Sequence, residues 1–108
     1  MSVAIPVEEL PAELVRYSWC YLVTVGQDGR AHVVAVTPTL RDGVFSAEVG
    51  KSTAANARER AHVVLVFPPL DHTGMSLIVD ATFDDRSEPA DRFTVLPTKA
   101  TLHRAAPP

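Results

Sequence analysis

The feature that most restricts this chain is a succession of short apolar, β-branched runs, each ended by a turn signal. Residues 19–25 (Trp19-Cys20-Tyr21-Leu22-Val23-Thr24-Val25) are aromatic and branched with little polarity, as expected of a strand covered on both faces. An Asp28-Gly29 turn follows, and residues 32–40 read as the second arm of a hairpin. Asp42-Gly43 turns the chain again into a third strand over 44–49, completing a meander. Residues 62–67 are nearly all apolar and stop at Pro68-Pro69. Over 75–84 the pattern alternates, with Met75, Leu77, Val79, Ala81 and Phe83 on one side and Ser76, Asp80, Thr82 and Asp84 on the other. Two last short strands, 93–96 and 100–103, are expected on either side of Pro97-Thr98, after a polar loop at 85–91.

Helical signals are few. Leu10, Leu14 and Tyr17 recur at helical spacing, so a short amphipathic helix is expected inside an N-terminal helical segment, 1–18, with Pro11 in its first turn. A second helix is expected after Thr53, with Ala54, Ala57 and Ala61 turned to a sheet. Six or seven antiparallel strands with one or two short helices make the chain mainly β, and a barrel is preferred over a sandwich. With 108 residues there is room for one domain, 1–108, ending in a tail at 105–108. Its strands carry more apolar surface than one small core hides, which favours a homodimer.

Composition narrows the function classes. A net charge of -3 gives no overall pull toward nucleic acid or an anionic membrane surface. No run approaches the roughly 20 apolar residues of a membrane span, and the N-terminus lacks the pattern of a secretory signal, so a cytoplasmic protein is expected. Cys20 is the sole cysteine and the four histidines are scattered, so no metal site is expected. The common hydrolase, nucleotidase, zinc-protease and dithiol signatures are missing. Any chemistry therefore falls to a bound cofactor, which the protein would position.

One turn has the composition of an anion site. Gly50-Lys51-Ser52-Thr53 sets a glycine, a cation and two hydroxyls at a helix start, where unpaired N–H groups and the helix dipole favour a phosphate. A hydroxyl of Ser52 or Thr53 that simply caps the helix, with Lys51 in water, accounts for the same residues.

The order and spacing of several segments resemble a known family. Residues 21–25 with Asp28-Gly29-Arg30, then His32-Val33-Val34, then Gly50-Lys51-Ser52-Thr53-Ala54-Ala55-Asn56-Ala57-Arg58, are similar to the pyridoxamine 5′-phosphate oxidase-like flavin-binding split-barrel proteins. Residues 74–82 and 96–104 point to a small actinobacterial branch, so the resemblance covers roughly residues 19–104. It implies a split β-barrel homodimer with FMN at the subunit interface, acting as an oxidoreductase on a small molecule that the sequence does not identify. Carried over by position, Lys51, Ser52, Thr53 and Arg58 would meet the cofactor phosphate, with Asn56 closing the helix start. Val34, Ala35, Val36 and Thr37 would lie along the isoalloxazine, and Ser46 and Ala47 on the ribityl side.

Two departures qualify the resemblance. Where many members carry a further lysine, three or four residues before the asparagine, this chain has Thr53 or Ser52. The C-terminal arginine and tryptophan region that holds the vitamin substrate of the true oxidase is also missing, which argues against pyridoxamine phosphate oxidation. Alternatives within the fold are an F420-dependent reductase, a non-catalytic cofactor-binding or structural dimer, and a haem protein using His32 or His62.

Overall fold

The computed structural model describes residues 1–84 and 92–108. Its strands are β1 (Ser2–Ile5), β2 (Cys20–Val25), β3 (Ala31–Val36), β4 (Thr39–Arg41), β5 (Val44–Glu48), β6 (His62–Phe67), β7 (Ser76–Phe83) and β8 (Arg92–His103), and its α-helices are α1 (Leu10–Glu13) and α2 (Lys51–Glu59). The sheet runs β3-β2-β6-β7-β8-β5-β4, every adjacent pair antiparallel, with β1 added against β8. The fold is a curled split β-barrel. The expected loop at 85–91 lies outside the described residues.

Residues 32–40 do not form one strand. β3 pairs with β2 at one edge of the sheet, whereas β4 pairs with β5 at the other. Only Thr37 and Pro38 separate them, and a proline cannot continue a ladder for want of an N–H. The sheet must therefore curl until its two edges meet at this crossing.

The last two expected strands are instead one. β8 is continuous across Pro97-Thr98, and β7 pairs along it from Phe83↔Val95 to Ser76↔His103. A register shift absorbs the extra residue. Asp80 faces Lys99 and Ala81 faces Pro97, while the Thr98 hydroxyl donates to the Asp80 carbonyl at 3.2 Å. On its other side β8 holds β5 with its first half and β1 with its second.

The N-terminal segment begins as a strand, since Ser2–Ile5 is β1. After Pro6 the chain makes a 3₁₀ turn (Val7–Glu9), the single turn α1 and a second 3₁₀ turn (Leu14–Arg16), not one regular helix. The expected inward face is kept: Leu10 is fully buried, and Leu14 and Tyr17 pack against the core. The Tyr17 hydroxyl donates to the Met75 carbonyl at 2.8 Å, and its ring meets Phe67 edge-on.

Inside the barrel lie Leu22, Phe45, Val63, Leu65, Leu77, Val79, Phe93 and Val95, all at most 1% exposed. β2 is not covered on both faces: Cys20, Leu22 and Thr24 point inward, while Tyr21 is 43% exposed. Across the outer face, Tyr21 pairs with Ala35 and Val66, and Val23 with Val33 and Val64. Val66 in turn pairs with Ile78. The outside of β3-β2-β6-β7 is thus an apolar band, with Val33 57% exposed.

Candidate cofactor site

The α2 helix begins earlier than the sequence suggests and is capped differently. Gly50 is its N-cap, extended at φ -68° and ψ 162°, with no side-chain cap bond, and Lys51 is its first residue. Neither Ser52 nor Thr53 caps it. The first bond of the helix runs from the Ala54 N–H to the Gly50 carbonyl at 3.1 Å, so the preceding N–H groups have no partner within the helix. Lys51 and Ser52 are exposed there, whereas Thr53 is buried with Ala54 and Ala57 against the barrel. Ala61, expected on the same face, lies beyond the helix and is exposed. A Cβ added to Gly50 would meet nothing within 4 Å, so the helix start opens onto free space.

The register shows what faces that space. β4 pairs with β5 only between Thr39↔Ser46 and Arg41↔Val44, so Ala47 and Glu48 extend past the start of β4. At the opposite edge of the sheet, β3 has β2 alone as its neighbour among the described residues. β5 leads through Val49 and Gly50 into α2, and β2, which carries β3, meets the helix at Thr24. We call the free edge of β3, the end of β5 and the start of α2 together the seam.

The predicted residues divide about this seam. Val34, Ala35 and Val36 lie on β3 and Thr37 in the crossing, Ser46 and Ala47 lie on β5 with Ser46 still paired to Thr39, and Lys51 and Ser52 stand at the helix start. Their side chains do not share a direction. Val34 and Val36 pair with Leu22 and Cys20 and share their side of the sheet, although Val34 is still 38% exposed, while Ala35 pairs with Tyr21 on the outer side. What β3 offers along its length is its unpaired backbone, alternating N–H and C=O. Ala47 is buried in the core, and the Ser46 hydroxyl lies 3.3 Å from that of Thr39.

Two predicted residues lie elsewhere. Asn56 does not close the helix start; its amide Nδ2 donates to the Thr24 hydroxyl on β2 at 3.3 Å. Arg58 sits with its guanidinium 5.6 Å from the centre of the Phe83 ring. Seven residues separate it from Lys51, which places both on one face of α2, about 10 Å apart along the axis.

The histidines raised for haem are engaged with carboxylates. His62 Nε2 lies 2.9 Å from Asp80 Oδ1, and His32 Nε2 lies 3.7 Å from Asp28 Oδ1. The Arg30 N–H, donating to Asp28, leads the contacts that hold this carboxyl below its ordinary value. Among the described residues no three His, Cys, Asp or Glu side chains are grouped to hold a metal, and no helix is long and apolar enough to cross a membrane. Two apolar concavities of about 310 and 390 Å³ lie between the N-terminal turns and β4, sharing Pro11 and Leu40. Neither includes a predicted cofactor residue.

Sequence reading overlooked Thr24 and Arg60. Thr24 was visible as the one aliphatic hydroxyl in an apolar strand, and it is 1% exposed. Arg60 carried no such signal, because a cation at a helix end is ordinary.

No family model matches the chain. Two uncharacterized proteins, from Mycobacterium bovis and Mycobacterium tuberculosis, are each 39% identical to it over 118 aligned positions, covering 96% of this chain and 83% of theirs. The chain belongs to their family. Its split barrel is of the pyridoxamine 5′-phosphate oxidase-like kind. A candidate pyridoxamine 5′-phosphate oxidase of Listeria innocua superposes with TM-score 0.72 at 12% identity, over 92% of this chain and 98% of that one. An FAD-binding protein of Mesorhizobium loti gives 0.64 at 14% identity, over 98% and 99%. An F420 reductase gives 0.61 at 19% identity, over 88% and 92%. The chain therefore shares its fold with proteins described as FAD-binding and as an F420 reductase.

Proposed function

We propose that this protein binds FMN along the seam and acts, as a homodimer, as an oxidoreductase on a small molecule. The observation that supports the reading best is the start of α2, where the first N–H groups have no partner within the helix and Lys51 and Ser52 are exposed; the free edge of β3 offers a second such backbone array. Polar atoms on the rim of a flat heteroaromatic ring match an edge strand's alternating donors and acceptors. The terminal phosphate matches the N–H groups of the α2 first turn, the Ser52 hydroxyl and the Lys51 ammonium. Arg58, on the same helix face, adds positive potential. The open space at Gly50 admits the anion.

When bound, the flavin would supply the exchange of a hydride with the substrate, and no side chain of the protein needs to serve as nucleophile or base. The chain's residues bind the phosphate, align the ring against β3 and exclude water from its inner side through Val34 and Val36. A second copy seated on the apolar band of β3-β2-β6-β7 would cover the open side of the seam. A cytoplasmic location fits this role.

F420 is the second reading, supported by the F420 reductase among the similar structures. The discriminating experiment is the absorption spectrum of the purified protein after incubation with FMN or F420 and gel filtration. Retained flavin bands in the native protein, lost in Lys51→Ala, are expected. Retention of F420 alone would replace the cofactor, and retention of neither would refute the enzymatic reading in favour of a non-catalytic dimer.

A further inference from the structure

We propose that Thr24 is a positioning residue that, through Asn56, sets the helix start of the cofactor site in place; the inference rests on the FMN reading above. α2 meets the barrel through small side chains. Thr53, Ala54 and Ala57, all buried, present only small side chains to the sheet, which offer shallow ridges for interlocking. Such a helix can rotate or slide at little packing cost. A rotation by one residue, about 100°, would swing Lys51 and Ser52 away from the seam.

Beside the Arg58 guanidinium near the Phe83 ring, two hydrogen bonds to β2 oppose that freedom among the described residues. Asn56 Nδ2 donates to Thr24 Oγ1 at 3.3 Å, and one turn later Arg60 Nε donates to the Val25 carbonyl at 2.6 Å. The Arg60 N–H also closes the helix on the Asn56 carbonyl at 2.9 Å. Anchors one turn apart on the helix and on consecutive residues of β2 fix both its rotation and its axial position. Thr24 is the buried partner, so its hydroxyl has little access to water as a substitute.

β2 also carries β3, with Thr24 facing His32 across the ladder. One strand thereby holds both ends of the proposed site, the strand along which the ring would lie and the helix that would meet the phosphate. Thr24 sets the distance between them without touching the ligand.

The test compares FMN with riboflavin, which lacks the phosphate, in the full-length protein and in Thr24→Val, Thr24→Ser and Asn56→Ala. Affinities are read by flavin fluorescence, and the mobility of α2 by amide hydrogen exchange without cofactor. We expect Thr24→Val and Asn56→Ala to lose about tenfold in FMN affinity, roughly one hydrogen bond's worth, with riboflavin affinity unchanged. Exchange should quicken over residues 50–60, and Thr24→Ser should restore both properties. Equal loss for the two flavins, or loss for neither, overturns the positioning role. If the native protein does not prefer FMN to riboflavin, the phosphate assignment fails, and the exchange data still decide the helix anchor: unchanged exchange over 50–60 overturns it. Asn56→Ala probes the same bond from the helix side if Thr24→Val does not fold.

Discussion

Cys20 gives a direct measure of how tightly the barrel is closed. Its side chain lies within β2 and is 0% exposed, and burial pushes its pKa up to about 12 from an ordinary 9.0. At pH 8 such a thiol is ionised to about one part in ten thousand, whereas an unburied one reaches about one part in ten. Only the thiolate attacks an aromatic disulfide reagent, so ionisation alone slows labelling roughly a thousandfold, before any limit on access is counted. The assay is the time course of labelling at pH 8, with native protein compared against protein unfolded in urea. A native rate within about tenfold of the unfolded rate would refute the buried placement. The sign of the pH dependence also follows. The folded state keeps the thiol neutral, so its contribution is fully present below pH 9 and is lost as pH rises from 9 toward 12. The slope is about 1.4 kcal/mol per pH unit inside that window. Flavin retention should therefore survive iodoacetamide at neutral pH.

Other residues test other parts of the account. Leu22→Ala empties a fully buried position and should cost about 2–5 kcal/mol in urea unfolding; a loss below about 1 kcal/mol would remove Leu22 from the core. Val33→Glu charges the outer apolar band and should leave monomer stability within about 0.5 kcal/mol. It should halve the mass seen by light scattering, and a variant that stays dimeric sinks the proposed interface. The Thr73 backbone N–H, then its hydroxyl, donate to Asp71 and hold that carboxyl below 3.8. This contribution is present above the ordinary value and disappears as pH falls through the folded one, so an NMR titration should find a low midpoint that Thr73→Val partly raises. Gly43 has φ +76°, and Gly43→Ala should cost about 1 kcal/mol from backbone strain, since a Cβ there meets nothing within 4 Å.

Strand identity was legible where side chains alternate or cluster. Leu77, Val79 and Ala81 read correctly as one buried face because a period of two repeats often enough over 75–84. Connectivity was harder. Residues 32–40 read as one strand through Pro38, and Pro97 read as a break, yet Pro38 separates β3 from β4 while Pro97 lies inside β8, and the difference rests on which strands sit alongside. β1 escaped notice because four residues hold too little pattern, and the strand it pairs with, β8, is almost the whole chain away. The composition of the helix start was plain in Gly50-Lys51-Ser52-Thr53, but its capping was not, because glycine and hydroxyl caps compete on nearly equal terms. The destination of the Asn56 amide could not be read at all, since it depends on the tertiary placement of Thr24.

The closure of the barrel bears on how fast it forms. β8 must gather β7 on one side and both β5 and β1 on the other, and the Ser2–His103 contact spans 101 positions of the chain. Such a contact restricts the chain before it rewards it, so folding should be slow for a domain of this size, on the order of milliseconds to seconds. Hairpins β2-β3 and β4-β5 need only short loops and should form early. β1 has no ladder to join until β8 exists. The N-terminal strand is thus the natural last piece, and pausing before it docks would leave half of β8 as a bare edge, the state in which two unfinished chains would most readily find each other.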